Sequence, residues 1–365
     1  MNETFRNLGA KVVRRALALH KPVVRIARQR ERAAEHRRFR AAARAAEREI
    51  IAIARGSRPI LVGPWLAEVG YEVLYWIPFL RWFVDKCAIP PARLIVLSRG
   101  GVADWYAPFA QRYVDLFDLI PPPELAERNQ RRRASEERGG QKQSSVSEFD
   151  REILQLAETQ LGIAKAHLCH PSVLFRLFHH VWYGNLPLDF LWTRTRFARL
   201  DGDARGDPLN AELPPRFAAV KFYSGVALPM TDAHTRWVRD LVRSLAMSMP
   251  VVSLDSDYGV DEHRDFDLSG LTNVTSARQW MTPARNLGLQ SRIITRASCF
   301  VGTCGGLAWL APFLGVPTTA VFADDQLLGT HLMIARQAMR SQGAAEFSTL
   351  DLRAVDRLGF RHIID

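Results

Sequence analysis

The residues best suited to chemistry cluster in the last third of the chain. The run 300–321 reads FVGTCGGLAWLAPFLGVPTTAV. Its spacing predicts a strand turning into a helix at Gly302-Thr303-Cys304-Gly305-Gly306. Glycines there let a ligand approach the backbone, and the free N–H groups and dipole of the helix start favour an anion such as a diphosphate. Thr303 adds a hydroxyl donor; a tight turn that binds nothing gives the same pattern. Just upstream, Asn286, Gln290 and Ser291 fall near the start of a second helix, either as caps or as contacts to a base or ribose. Lys221 and Tyr223 stand at the end of the apolar strand 217–222. A lysine there needs solvent or an anion. Asp261-Glu262-His263-Arg264-Asp265 alternates carboxylates with an imidazole. Asp261 and His263 could meet a metal or a group of sugar hydroxyls, or simply hydrogen-bond their own loop.

The first half carries a second set. A strand over 59–62 leads into a loop with Trp65, Glu68, Gly70, Tyr71 and Glu72, then into a helix, apolar nearly all round, over 71–84. Seven of the chain's 35 aromatic residues fall between Trp65 and Phe83. Core packing explains most of them, and the loop residues Trp65 and Tyr71 are the candidates to stack on a sugar. Arg99, before two glycines, and His170, before a Pro-initiated helix, complete the candidates. His170 would be an acid/base, a phosphate donor or a cap.

These residues need elements to hold them, and short apolar strands alternate with helices from residue 59 onward. Strands over 93–97, 217–222, 251–254, 299–302 and 318–322 alternate with helices over 104–117, 151–161, 172–182, 232–245, 286–296 and 307–314. Asp232 is the expected cap of the helix that follows it. Two such halves predict an α/β fold: two Rossmann-like doubly wound domains facing a cleft, with a basic helical N-terminal arm. The expected domains are the arm (1–58), an acceptor-side domain (59–205) with a mobile polar loop at 124–150, and a nucleotide-sugar domain (206–365) behind a Pro/Gly-containing linker at 201–215.

The 365 residues suit two cores, and 47% hydrophobic residues exclude a wholly disordered or fibrous chain. Four dispersed cysteines give neither a disulfide framework nor a zinc site. Net charge is +11, and residues 1–58 alone hold 16 Lys+Arg against five carboxylates. The basic surplus is therefore that of the arm, which would lie on an anionic membrane surface or pack as a solvated helix; nucleic acid is the less favoured partner. The 27 residues from Ala297 to Ala323 carry no charge, but glycine and proline divide them into strand, helix and strand rather than a membrane span. A cytoplasmic protein, peripheral at most on the inner membrane face, is expected.

The order strand, G-[TS]-x-G-G, helix, GVP, strand resembles the donor-binding half of GT-B-fold glycosyltransferases. The heptosyltransferase and O-fucosyltransferase-like groups are most similar. Cys304 stands where heptosyltransferases commonly have an acidic residue, and no histidine follows in the helix. The resemblance implies a glycosyltransferase moving a sugar from a nucleotide-diphosphate sugar to a glycan or lipid-linked hydroxyl acceptor, with no cofactor and no metal. It implies that Lys221 and the 302–306 turn hold the diphosphate and that Glu68 or Glu72 is the base that deprotonates the acceptor. A nucleotide-sugar epimerase of the same fold, and a non-enzymatic nucleic-acid or scaffold protein acting through the arm, are the alternatives.

Overall fold

Parallel strands covered on both faces are apolar along their length, and this chain places such strands at the centre of two sheets. In the computed structural model, residues 30, 33–135, 143–200, 212–256, 263–326 and 328–357 are described. The first set is β1 (Ile60–Val62), β2 (Leu94–Ser98), β3 (Arg112–Asp115) and β4 (His167–Cys169), in the spatial order β3-β2-β1-β4, all parallel. The second is β5 (Ala218–Lys221), β6 (Val251–Ser253), β7 (Val274–Ser276), β8 (Cys299–Thr303), β9 (Thr318–Phe322) and β10 (Phe347–Asp351). Its order is β10-β9-β8-β5-β6-β7, again all parallel.

Helices cover the first sheet. They are α1 (33–54), α2 (Val69–Tyr71), α3 (Ile77–Cys87), α4 (Ala103–Tyr106) and α5 (Leu116–Leu119), followed by α6 (Pro122–Ser135), α7 (Glu148–Leu161), α8 (Ser172–Trp182) and α9 (Asp189–Trp192). A π-helical turn, Glu72–Trp76, joins α2 to α3. On the second sheet lie α10 (Asp232–Ser248), α11 (Asn286–Arg296), α12 (Gly306–Phe313), α13 (Gly329–Ser341) and α14 (Leu352–Arg357). Local chemistry sets their ends. Ser147 and Asp150 form a reciprocal capping box at the start of α7, and Gly162 closes it in the left-handed conformation. Thr231, not the expected Asp232, caps α10 by accepting from the His234 N–H.

Several expectations change. The span 104–117 is not one helix, because β3 lies within it as an edge strand between α4 and α5. The polar stretch expected to be a mobile loop holds helix α6 and the start of α7. In α6, Leu125, Asn129 and Arg132 are buried, with Arg132 donating to the Asn129 amide oxygen. Gln143, also buried, bonds the Leu66 N–H, the Pro64 carbonyl and Asp150. The helix α1 packs Ala43, Ala46 and Ile50 into the core. Residues 1–29, 31 and 32 of the expected arm and 201–211 of the expected linker lie outside the described residues. No described helix is long and apolar enough to cross a membrane, and Ala297–Ala323 folds as β8, α12 and β9.

The main apolar core runs through both units, from Trp76 and Phe79 around α3 to Trp309, Leu310 and Phe313 of α12 and Ile334 of α13. The units also meet backbone to backbone. Gly288 at the start of α11 donates its N–H to the Gly100 carbonyl at 2.8 Å. A Cβ on Gly288 would sit 2.2 Å from the Gly101 carbonyl oxygen, so this approach requires glycine.

Candidate functional site

Between the two sheets lies a cleft of about 720 Å³. Its lining follows the C-terminal ends of the strands, where open parallel sheets bind ligands. Leu66–Tyr71 follow β1, and Arg99 and Gly100 follow β2. Lys221 ends β5, Arg278 follows β7, and Cys304–Leu307 follow β8. In the second sheet the chain enters at β5, proceeds outward through β6 and β7, then returns to β8 on the other side of β5. Lys221 and the glycine turn therefore stand on the two strands that flank the switch point.

At that point Gly305 adopts φ 129°, which a side chain rarely tolerates, and opens α12. Gly305 and Gly306 line the cleft beneath Tyr223, whose hydroxyl would lie 3.0 Å from a Cβ at Gly305. The Lys221 ammonium donates to Asp265 Oδ2 at 2.8 Å and to the Leu254 carbonyl at 2.9 Å. Asp265 also accepts from the Ser256 N–H. The lysine is thus held at two of its three N–H bonds. His263 lies against Tyr223, ring centroids 4.5 Å apart. Among the described lining residues, five are basic (Arg99, Arg133, Lys221, Arg264 and Arg278) and two are carboxylates (Glu68 and Asp265), with Arg278 also paired to Asp255 at 3.3 Å. The cleft therefore favours an anion.

On the opposite wall, Glu68 precedes α2 and its carbonyl accepts from the N–H groups of Tyr71 and Glu72. Two residues on, a Cβ at Gly70 would sit 2.9 Å from the Trp309 ring and 3.0 Å from the Gly306 nitrogen. The segment carrying Glu68 is therefore pressed against the start of α12. Tyr71 donates to or accepts from His331 Nε2 at 3.0 Å, and Tyr75 pairs with Nδ1 of the same ring at 2.5 Å. Burial first, then the charge of Glu68, raises the Tyr71 pKa, so the phenol keeps its proton. Burial pushes the Cys304 thiol up to about 12, which removes it as a nucleophile at neutral pH.

The other candidates divide clearly. Asn286 and Gln290 line the cleft and bond each other. Arg99 lines it while donating to the Trp65 and Ala67 carbonyls at 3.1 Å, which shapes the loop after β1. Ser291 is buried between the units, accepting from the Trp105 indole at 3.1 Å. Thr303 is buried too, exchanging hydrogen bonds with the backbone of Tyr223, and Gly302 packs against the Lys221 carbonyl inside the sheet. Trp65, expected to face a sugar, is fully buried against Trp76 and Phe175.

Glu72 faces away from the cleft. It is fully buried and takes hydrogen bonds from Ser98 at 2.6 Å and Tyr106 at 2.5 Å on one oxygen. Burial raises its pKa to about 7 despite those bonds. His170 is buried beside Asp150 at 3.5 Å and accepts the Ser172 N–H, the capping role. Asp261 lies outside the described residues. His263 stands on Tyr223 and Asp265 holds Lys221; among the described residues no three His, Cys, Asp or Glu side chains group as metal ligands.

Arg133, Arg278, Trp309 and His331 were not singled out from the sequence. Arg133 sits in the stretch whose polarity suggested a loop. His331 is one histidine on an amphipathic helix, and only folding brings Tyr71 and Tyr75 to it.

No family model and no curated protein matches the chain. Among solved structures it is similar to Escherichia coli heptosyltransferase WaaC with ADP, at 18% identity and a TM-score of 0.40 over 82% of this chain and 98% of that one. A glycosyl transferase family 9 protein from Veillonella parvula is similar at 11% identity and a TM-score of 0.43, over 83% and 88% of the two chains. The iron-containing dodecameric glycosyltransferase TibC from enterotoxigenic E. coli is similar at 12% identity and a TM-score of 0.40, over 73% of this chain. This chain spans 59% of the length of TibC. The two-sheet architecture rests on the chain's own strand order, and these likenesses add no argument about what it binds.

Proposed function

We propose that the cleft binds a nucleoside-diphosphate sugar and transfers its sugar to a hydroxyl acceptor, a glycan or lipid-linked one. The observation that carries this reading is the meeting of three features at one point. These are the Gly305–Gly306 start of α12, the clamped Lys221 ammonium, and a carboxylate-bearing segment pressed against that helix start from the facing unit. The backbone N–H groups of the turn and the third Lys221 N–H take diphosphate oxygens. Arg264 and Arg278, farther along the lining, offset the remaining charge.

Glu68 is the base. It takes the proton from the acceptor hydroxyl as that oxygen bonds to the anomeric carbon. The bond from that carbon to the phosphate oxygen breaks with its electron pair going to the phosphate. The negative charge that develops there falls on the helix start and Lys221, already positioned before reaction. One displacement of this kind inverts the anomeric centre. Tyr71, kept protonated, and His331 fix the wall behind Glu68.

Nucleoside-diphosphate release from a panel of donor sugars, with and without glycan acceptors, tests the reading. Glu68→Gln should retain donor affinity and slow acceptor-dependent release about 100-fold or more. Unchanged turnover in that variant would remove Glu68 as base. An epimerised donor formed without acceptor would replace transfer by epimerisation.

A further inference from the structure

Within the basic N-terminal segment, the described residues 33–54 form helix α1, and it is two-faced. Phe39, Ala43, Ala46, Ile50 and Ile53 lie against the core. Arg37, Arg40, Arg44 and Arg48 recur at three- and four-residue spacing on the opposite side, and all four are exposed. The stripe is about 17 Å long at 1.5 Å per residue. Only alanines (Ala41, Ala45, Ala52) stand exposed between and beyond these arginines on that face.

Two features set this face apart from an ordinary solvated one. A solvated helix face intersperses carboxylates at i,i+4, whereas here Arg40–Arg44 and Arg44–Arg48 are like-charge pairs at that spacing, an arrangement that disfavours the isolated helix. The carboxylates that could relieve them are used elsewhere. Glu47 binds Arg194 at 2.8 Å, and Glu49 binds Arg176 in a two-pronged pair at 2.9 Å. Those bonds, together with Phe39 stacked on His180 at 3.8 Å, clamp α1 onto α8 and the segment just after α9 and hold the arginines outward. None of the four arginines has a carboxylate partner among the described residues.

We infer that this stripe is a docking surface for an anionic membrane. A straight, single-sign line of guanidinium groups separated by methyl side chains suits a plane of phosphate headgroups. The face has none of the aromatic, Asn, Gln or Ser side chains through which proteins stack on or read nucleic-acid bases. The inference is independent of the donor reading, since vesicle binding and nucleotide binding are measured separately.

The test is co-sedimentation of the full chain with phosphatidylcholine vesicles containing about one third phosphatidylserine, against phosphatidylcholine alone. The quadruple variant R37Q/R40Q/R44Q/R48Q keeps good helix formers and removes the like-charge pairs, so a melting temperature no lower than that of wild type verifies the fold. Binding should require phosphatidylserine, fall steeply between 0.1 and 0.5 M salt, and weaken about fivefold per arginine removed, several hundredfold in the quadruple variant. Equal partitioning of variant and wild type would overturn the inference. So would binding to duplex DNA with none to anionic vesicles.

Discussion

Glu68 and Glu72 stand four residues apart and meet opposite surroundings. Glu68 looks into a cleft lined by cations, whereas Glu72 turns into the core, where one oxygen receives two hydrogen bonds and the other none. The sequence offered both as bases and had no means to separate them, because burial depends on where β2 and α4 bring Ser98 and Tyr106. Folding raises the Glu72 pKa from 4.5 to about 7, so the folded chain holds this proton more tightly than the unfolded one. That contribution is complete below about pH 4.5 and is lost as pH rises to about 7. It amounts to about 3 kcal/mol over that range. Glu72→Gln, which resembles the neutral acid, should match wild type in urea unfolding at pH 4.5 and exceed it at pH 8. A stability difference independent of pH would contradict this assignment. Lys221 was legible from its apolar strand, but its clamp was not, since Asp265 lies 44 positions away.

At the scale of elements, the unit β8–α12–β9 was readable because its signals are local. A charge-free run, a glycine turn and Gly315 as helix stop leave few other foldings. Helix α6 was hidden for the converse reason. It buries Asn129 and Arg132 through hydrogen bonds rather than apolar area, so composition alone makes it look like a loop. Strand β3, RYVD, lies at a sheet edge with Arg112 exposed and carries little apolar signal. Two glycines allow direct predictions. Gly288→Ala forces a methyl into the Gly101 carbonyl and should cost about 1–3 kcal/mol in chemical unfolding. A neutral result would mean that α11 and the loop after β2 separate readily. Gly305→Ala strains the turn where φ is 129° and should weaken nucleotide binding more than global stability, as calorimetric titration beside a melting curve would reveal.

Across the whole molecule, the two sheets do not sit as independent lobes. The shared apolar core, the Gly288–Gly100 backbone bond and the Tyr71/Tyr75–His331 hydrogen bonds tie them together. Domain motion is the ordinary expectation for two-unit chains unless an apolar interface joins them, and here one apolar core includes residues of both units. Scanning calorimetry should therefore record one cooperative unfolding transition, and two well-separated transitions would contradict the shared core. Two parallel α/β halves were evident from alternating strands and helices. The sharing of one core was not, because it depends on which helix faces meet across the cleft.

The most direct measurement of the central claim is the melting temperature of the full chain against UDP, GDP, ADP and dTDP, with CMP as a monophosphate control. Lys221→Gln, confirmed as folded without ligand, is measured in parallel. A diphosphate of one base, at 100 times its dissociation constant, should raise the wild-type midpoint by about 4 °C, and the variant should lose most of that shift. A folded wild-type protein whose midpoint moves with none of these nucleotides would contradict a diphosphate site at the Gly305–Gly306 turn.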